Sequence, residues 1–463
     1  MYGQNDKNIF DPKQCQDSSV SSPLGSLFSS IVNIGAVGGA MFTGSLADAV
    51  GRRMALAASA GPLVSGWVWL ALTTDPAQAI VSRALAGVGV GMSSVIVPLY
   101  IAEISPDAYR GALVSMNQLL ITVGIFGVYL IGELLPHEST TYAGCDDADT
   151  KTIGPNWTIL AWIGAMLSGC LLIVAAIIPE SPAYHFSNGD RDKAAAVMRK
   201  LWGSGYNPER YFQDQQKDGE GQQEKAGFRD ILAPESRTPM IIGCMLMVFQ
   251  QWSGNNAVIF FCSSIFKTAG LEDTDQASLY VMSVQVIATG VSVYLMDRAG
   301  RRTLLLTATI GMTVASASLG VLFLLQHMNA SPGGWVTIIV LIAYIIFFSI
   351  GMGPIPWLVM NEIFPDHTRA LAGSIATVIN WFSAFAVTYL FADMQQSLMD
   401  YGTFWFYAVV CLMAVLFTAT MLPETKGLSN LQIQAALARV APCGGGSRDQ
   451  SLSIPNGDEG LIQ

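Results

Sequence analysis

Long apolar runs, separated by short polar loops, constrain this chain more than any other feature of its sequence. Eleven runs are close to the roughly 20 residues that a helix needs to cross a bilayer. In hydrocarbon, every backbone N–H and C=O must be paired within the protein, so such runs fold as helices. The sequence therefore predicts an all-α, polytopic membrane protein. The spans are residues 24–47, 54–72, 77–102, 112–135, 157–178, 240–266, 277–296, 303–325, 335–360, 371–391 and 403–422.

Composition excludes several other classes of protein. Only 13% of the residues are charged, against about 25% in soluble proteins. The formal net charge of -10 argues against a nucleic-acid partner, which needs clustered basic surface. The four histidines are scattered, and no cysteine pair has the spacing of metal ligands. We therefore expect no metal site, no cofactor and no enzymatic activity.

Basic residues set the expected orientation, because Lys and Arg favour cytoplasmic loops. They cluster on one side, as at Arg52-Arg53 and residues 298–302, whereas Glu272-Asp273 lies on the other. We divide the chain into an outer-side N-terminal segment, a five-span half, a cytoplasmic linker, a six-span half and a cytoplasmic tail. These are residues 1–23, 24–178, 179–239, 240–422 and 423–463. Cys15 and Cys145 both fall on the outer side, where a disulfide between them is possible.

Three short signatures occur twice, in the same order and about 250 residues apart, which indicates two homologous halves. An Asp-x-x-Gly-Arg-Arg loop, a Glu-Ile-x-Pro segment and a Pro-Glu-Ser/Thr segment make up the set. Their carboxylates are Asp48 and Asp297, Glu103 and Glu362, and Glu180 and Glu424.

The two halves of the sequence contain different numbers of predicted spans. Six runs follow the linker but only five precede it, so we expect a further apolar helix upstream of Met1. An outer N-terminus without a signal sequence points the same way. The alternative is a protein with eleven spans.

Charges in these signatures lie at predicted cytoplasmic helix ends, where ion pairs can tie one helix to the next. We interpret them as a gating network; the alternative is that they only set topology. Arg83 lies inside a predicted span, where burying a charged side chain costs free energy, so we include it as functional. The alternative is that its side chain faces lipid and extends toward the membrane surface. The candidates are Asp48, Arg52, Arg53, Arg83, Glu103, Arg110, Glu180, Asp297, Arg301, Arg302, Glu362, Arg369 and Glu424.

Four carboxamides occur within seven residues of the sixth apolar run, Gln250-Gln251-Trp-Ser-Gly-Asn-Asn256. Amides in hydrocarbon need hydrogen-bond partners, and their donors and acceptors suit an uncharged polyhydroxylated solute such as a sugar. Gln250 and Asn256 would lie about 120° apart on a straight helix. For both side chains to contact one ligand, the helix must be broken, and we expect the break at Ser253-Gly254. The alternative role is to bridge neighbouring helices.

Taken together, the motifs resemble those of the sugar porter family of the major facilitator superfamily. They include the repeated Gly-Arg-Arg loops, Pro-Glu-Ser-Pro, Gln-Gln-x-Ser-Gly-x-Asn, Gly-Pro-Ile-Pro-Trp and Pro-Glu-Thr-Lys-Gly, and the resemblance is nearest to ERD6-like and intracellular-type glucose transporters. It implies two six-helix repeats around a monosaccharide. The implied sugar contacts are Gln118, Gln250, Gln251, Asn256, Trp357 and Asn380. Gln118 and Asn380 are also lone amides in apolar spans, and Trp357 offers a flat ring to a sugar.

The resemblance further implies a monomeric hexose carrier in the plasma membrane or a vacuolar or endosomal membrane. It leaves open uniport or proton symport, a polyol such as inositol as the solute, and a sugar sensor on the same scaffold. The chain departs from the family pattern at Gln285, where Asn is common, and at Phe260-Phe261, where tyrosines are common. With no first helix, it also lacks the Asp that proton-coupled members place opposite the equivalent of Arg83.

Overall fold

A computed structural model provides the fold. It describes residues 23–106, 109–135, 137–139, 152–155, 157–209, 211–213, 228–231, 233–268, 274–330, 333–365, 368–428 and 430–440. Cys15 and Cys145 lie outside the described residues, as do the first 22 residues and the last 23.

Five long helices make up the N-terminal half. A short two-stranded hairpin, β1 (His137–Ser139) and β2 (Thr152–Pro155), joins the last two of them. The helices are α1 (Pro23–Val50), α2 (Arg52–Leu72), α3 (Pro76–Ile104), α4 (Arg110–Leu134) and α5 (Trp157–Ile177).

Glycines let α1 and α3 approach each other closely. A Cβ at Gly87 on α3 would lie 2.1 Å from the Val32 carbonyl oxygen, and a Cβ at Gly35 on α1 would lie 2.0 Å from the Ala84 carbonyl oxygen. Both distances are too short to accommodate a side chain at these positions. The backbones of α1 and α3 therefore pack directly against each other, as is common between membrane helices.

The linker contains short helices rather than a structureless loop. They are α6 (Pro182–Ser187), α7 (Arg191–Trp202) and α8 (Phe228–Ile231). The Trp202 indole N–H donates to the Ile104 carbonyl (2.9 Å), which fixes α7 to the C-terminal end of α3. The next helix begins at Pro234, within the range that the sequence assigned to the linker, because proline is well tolerated in a first helical turn.

The C-terminal half contains the largest buried core of the described residues. Its segments are α9 (Pro234–Trp252), α10 (Asn255–Thr268), α11 (Thr274–Ala299), α12 (Arg301–His327), α13 (Gly334–Phe347), a π-helical turn (Phe348–Met352), α14 (Ile355–Ile363) and α15 (Arg369–Met421). A last helix, α16 (Asn430–Val440), packs Ile433 and Leu437 against the same core.

Helix α15 has 53 residues and folds back on itself at Met399, where φ is 59° and ψ is 172°. A straight helix of that length would be more than twice as long as a bilayer is thick, so its two arms are two crossings. The sequence predicted a loop here, yet residues 392–402 are helical on both sides of the kink. Nine helices of the described chain are long and apolar enough to span a membrane. Counting α15 twice and adding the α9–α10 pair gives the predicted eleven.

The halves meet along two helix pairs, α1 against α15 and α4 against α11. Two side chains on α4 make polar contacts across this interface. The Ser115 hydroxyl donates to the Met296 sulfur on α11 (3.1 Å), and the Tyr129 hydroxyl donates to the Ile259 carbonyl on α10 (2.6 Å). The two repeats therefore face each other around a shared axis.

Candidate functional site

The break predicted at Ser253-Gly254 is present and is stabilised from two sides. Helix α9 ends at Trp252, α10 begins at Asn255, and Gly254 has a φ of 97°. A Cβ at Gly254 would lie 2.6 Å from the Tyr407 ring, so glycine meets both a backbone and a space requirement. The buried Tyr344 hydroxyl donates to the freed Ser253 carbonyl (2.9 Å).

Four carboxamides form a hydrogen-bonded chain across this break, called here the amide chain: Asn256, Gln251, Asn380 and Gln250. Asn256 Nδ2 donates to Gln251 Oε1 (2.7 Å), and Gln251 Nε2 donates to Asn380 Oδ1 (3.0 Å). Asn380 Nδ2 then donates to Gln250 Oε1 (2.8 Å). The break thus turns amides from α9, α10 and the first arm of α15 toward one another.

The members of the amide chain differ in what they have left to offer a ligand. Gln250 donates both hydrogens of its amide to carbonyls, those of Met352 (2.9 Å) and Gly353 (2.8 Å). Asn256 is half-buried, and within the described residues its Oδ1 and its second N–H make no further bond. Free hydrogen-bonding capacity therefore lies at the Asn256 and Gln251 end.

The other two predicted contacts lie apart from the amide chain. Trp357 is half-buried on α14, one turn beyond the carbonyls that Gln250 binds. Gln118 is half-buried on α4 in the opposite half, and no hydrogen bond joins it to the four amides.

Four buried amide or indole groups that were not among the predicted contacts have no hydrogen-bond partner in the described part of the chain. They are Asn33 Nδ2 on α1, Asn255 Oδ1 on α10, Gln285 Oε1 on α11 and Trp381 Nε1 on α15. Asn33 is a lone amide in an apolar run, so the criterion that selected Gln118 and Asn380 also applies to it. Trp381 follows Asn380 directly, but nothing in its own sequence distinguishes it from a packing aromatic.

At the helix ends that carry the repeated signatures, the N-terminal half contains an ion-pair cluster of α1, α2, α3 and α6. Arg52 Nη2 lies 2.9 Å from Glu103 Oε1, and Arg52 Nη1 lies 3.1 Å from Asp48 Oδ1. The Ser181 hydroxyl donates to the other Glu103 oxygen. Arg52 and Glu103 are both largely buried, so this pair is shielded from solvent more than a surface pair would be.

The C-terminal half repeats this cluster with the equivalent residues. Arg301 Nη2 lies 3.1 Å from Glu362 Oε1, and the Thr425 hydroxyl donates to Glu362 Oε2 (2.6 Å). The repeated signatures therefore build two similar structures, one in each half.

A second carboxylate in each cluster caps a helix. Glu180 accepts hydrogen bonds from the backbone N–H groups of Arg52 (2.9 Å) and Arg53 (3.2 Å) at the start of α2. Glu424 does the same for Arg301 (2.9 Å) and Arg302 (3.1 Å) at the start of α12. A carboxylate at this position pairs orphan donors and complements the positive end of the helix dipole.

The second arginine of each pair reaches the end of another helix. Arg53 Nε and Nη2 donate to the Ala175 (2.8 Å) and Ala176 (2.7 Å) carbonyls of α5. Arg302 Nη2 donates to the Ala419 carbonyl of α15 (2.6 Å). These cations sit against the negative ends of their neighbours' dipoles.

The remaining charged candidates have different surroundings. The Arg83 guanidinium carbon lies 4.6 Å from the centre of the Phe28 ring on α1, and its buried Nε has no hydrogen-bond partner among the described residues. Arg369 Nη2 donates to the Phe364 carbonyl (3.3 Å). The side chains of Asp297 and Arg110 lie outside the described residues. Across the described chain, no group of three His, Cys, Asp or Glu residues could bind a metal ion.

Comparison with known proteins identifies the class. The family described as Sugar (and other) transporter matches residues 1–437. Sugar transporter ERD6-like 6 of Arabidopsis thaliana is 35% identical over 420 residues, which cover 89% of this chain and 82% of that protein. Solute carrier family 2, facilitated glucose transporter member 8, of Mus musculus is 34% identical over 431 residues, which cover 89% of this chain and 84% of that protein.

A solved structure shares the fold. XylE of E. coli, a proton:xylose symporter of the major facilitator superfamily solved with 6-bromo-6-deoxy-D-glucose, superposes with a TM-score of 0.77 at 23% identity, over 93% of this chain and 92% of that one. The two-half helical fold around buried amides is therefore that of a major facilitator carrier. The chain belongs to the sugar transporter family, and it is a multi-pass membrane protein. The resemblance inferred from its motifs is confirmed.

Proposed function

We propose that this transporter moves a monosaccharide, a hexose such as glucose or fructose, by alternating access. The amide chain carries the proposal, because it gathers four carboxamides from three helices at a helix break and leaves capacity at Gln251 and Asn256. Neutral donors and acceptors in a buried site suit the hydroxyl groups of an uncharged sugar. The names of the relatives, a facilitated glucose transporter and an ERD6-like sugar transporter, favour the same substrate class.

Within this proposal the six predicted contacts have different roles. Gln251, Asn256 and Asn380 line one wall of the site, and Trp357 supplies an apolar ring face beside it. Gln118 completes the site from the opposite half when the halves close. A contact to Gln250 in the present conformation would use the second lone pair of its Oε1, since both of its N–H groups are occupied.

We propose that the two cytoplasmic clusters act as the gating network. Each one joins three or more helix ends through Arg52 with Glu103, or Arg301 with Glu362, and these contacts must rearrange when the halves rock. A purely topological role would need arginine alone, whereas both clusters contain matched carboxylates. Arg110 and Asp297 are included in the network by their place in the repeated signatures.

Coupling is proposed as uniport in preference to proton symport. The name of one relative, a facilitated glucose transporter, supports uniport. The protein is proposed to act as a monomer, since one chain supplies both repeats. Its membrane is proposed to be the plasma membrane or a vacuolar or endosomal one, which microscopy of a fluorescently tagged protein would decide.

Counterflow in proteoliposomes tests the function. Vesicles loaded with unlabelled glucose or fructose should accumulate the labelled sugar transiently and saturably, and uptake should not depend on an imposed pH gradient. Competition by a panel of hexoses and polyols then separates a hexose carrier from an inositol carrier. Absence of saturable flux with every hexose and pentose would refute the proposal.

A further inference from the structure

Two prolines interrupt the helix that carries Trp357, and each removes a backbone donor. In an α-helix the N–H of residue 354 would pair with the Ile350 carbonyl, and the N–H of residue 356 with the Met352 carbonyl. Both positions are proline, in the segment 348–356 that joins α13 to α14 and is called here the proline hinge. Carbonyls at membrane depth need another donor, because water is not available to them.

Side chains from two neighbouring helices supply these donors. The fully buried Ser292 hydroxyl on α11 donates to the Ile350 carbonyl (2.8 Å). From the opposite side, Gln250 on α9 donates to the Met352 carbonyl (2.9 Å) and also to the Gly353 carbonyl (2.8 Å). Each carbonyl that a proline deprives of its partner is therefore paired by a residue outside the hinge.

Gln250 also belongs to the amide chain, so the hinge and the proposed sugar site share a residue. Its Oε1 accepts the hydrogen bond from Asn380, which is linked in turn to Gln251 and Asn256. A sugar that draws on Gln251 or Asn256 changes the bonds available to Asn380, and through it those of Gln250. Side-chain hydrogen bonds in such chains polarise one another.

We infer that Ser292 and Gln250 are positioning residues that hold the proline hinge in this conformation, and that Gln250 couples the hinge to the sugar site. This inference rests on the proposed transport function. An unpaired hinge carbonyl raises the free energy of the conformation in which the bond is normally made. Since the carrier passes through that conformation in every cycle, the loss appears in turnover rather than in sugar affinity.

Ser292→Ala isolates the hinge, because Ser292 lies outside the amide chain. We expect its turnover in proteoliposomes to fall about fivefold or more, with the sugar dissociation constant changed by no more than about twofold. Ser292→Thr, which retains the hydroxyl, should restore turnover. Ser283→Ala on the same helix is the matched control, since among the described residues its hydroxyl bonds only the Leu279 carbonyl of its own helix (2.7 Å). It should transport like the wild type.

Pro354→Ala completes a double-mutant cycle, because it gives residue 354 an N–H for the Ile350 carbonyl. In that background, Ser292→Ala should change turnover by only about twofold, and it should change the thermal midpoint little. If Ser292→Ala alone does not accumulate, recovery in the Pro354→Ala background supports the inference, and continued loss refutes it.

The outcomes separate the two proposals. A wild-type protein that moves no sugar contradicts the transport function. The double-mutant cycle, measured by thermal midpoints, still tests the hinge inference in that case. A wild-type protein that transports, with a folded Ser292→Ala variant that transports equally well, contradicts the hinge inference alone.

Discussion

Replacing Gly51 by alanine tests how much the carboxylate cap contributes to the cytoplasmic cluster. Gly51 precedes α2 with a φ of 92°, and a Cβ there would lie 2.4 Å from Glu180 Oε2. The methyl group therefore displaces the carboxylate that pairs with the N–H groups of Arg52 and Arg53. Two separate effects are expected, backbone strain and loss of the cap.

Their magnitudes follow from the geometry. Gly51 has a φ of 92° and a ψ of 162°, a region that essentially only glycine adopts, and any other residue there costs about 1–3 kcal/mol. Hydrogen bonds to a charged group contribute about 1.5–3 kcal/mol, so Gly51→Ala should destabilise the folded state by about 2.5–6 kcal/mol in total. Gly203→Ala provides the matched control, because Gly203 has a φ of 101° and a ψ of 152° but no atom lies within 4 Å of an added Cβ. It should show the strain alone.

Thermal midpoints in detergent, together with counterflow rates, measure the difference. We expect Gly51→Ala to lower the midpoint well beyond Gly203→Ala and to slow transport, whereas Gly203→Ala should transport normally. Glu180→Gln keeps one acceptor oxygen and removes the charge, so its midpoint should lie between those of the wild type and Gly51→Ala. Equal midpoints for Gly51→Ala and Gly203→Ala would show that the carboxylate cap contributes nothing.

Three further perturbations give distinct expected results. Asn256→Ala removes a free end of the amide chain and should weaken sugar binding in equilibrium assays by about 1–3 kcal/mol, with normal insertion; unchanged affinity argues against this wall of the site. Arg302→Ala should alter counterflow turnover more than affinity, since its partner, the Ala419 carbonyl, lies at the cytoplasmic end of α15; an effect on affinity alone contradicts a gating role. Gly87→Val should reduce the yield of folded protein through its clash with α1, whereas Gly38→Val, with open space around it, should not, and equal yields would disprove the close contact.

The broken helix was predictable because its reason is local. Four amides cannot share a ligand on a straight helix, and Ser253-Gly254 is the one place in that stretch where the backbone can turn. Apart from the earlier start of α9 and the helical continuation through residues 392–402, the predicted helix ends agree with the structure within about three residues, because hydrophobic length is matched to bilayer thickness.

The partners of the amides were not predictable. Sequence spacing places Gln250 on one face of α9, but which carbonyls it meets depends on the packing of α14 and on two prolines more than a hundred residues away. The helical continuation through residues 392–402 was missed for a related reason. Hydropathy falls at the membrane surface whether the chain there is a loop or a kinked helix, so the pattern does not distinguish them.

A structure determined with glucose bound shows directly whether the amide chain is the sugar site. We expect sugar oxygens about 2.7–3.2 Å from the carboxamides of Gln251 and Asn256, with the Trp357 ring alongside and Gln250 still donating to the proline hinge. Sugar bound away from the helix break, touching neither Gln251 nor Asn256, would contradict it.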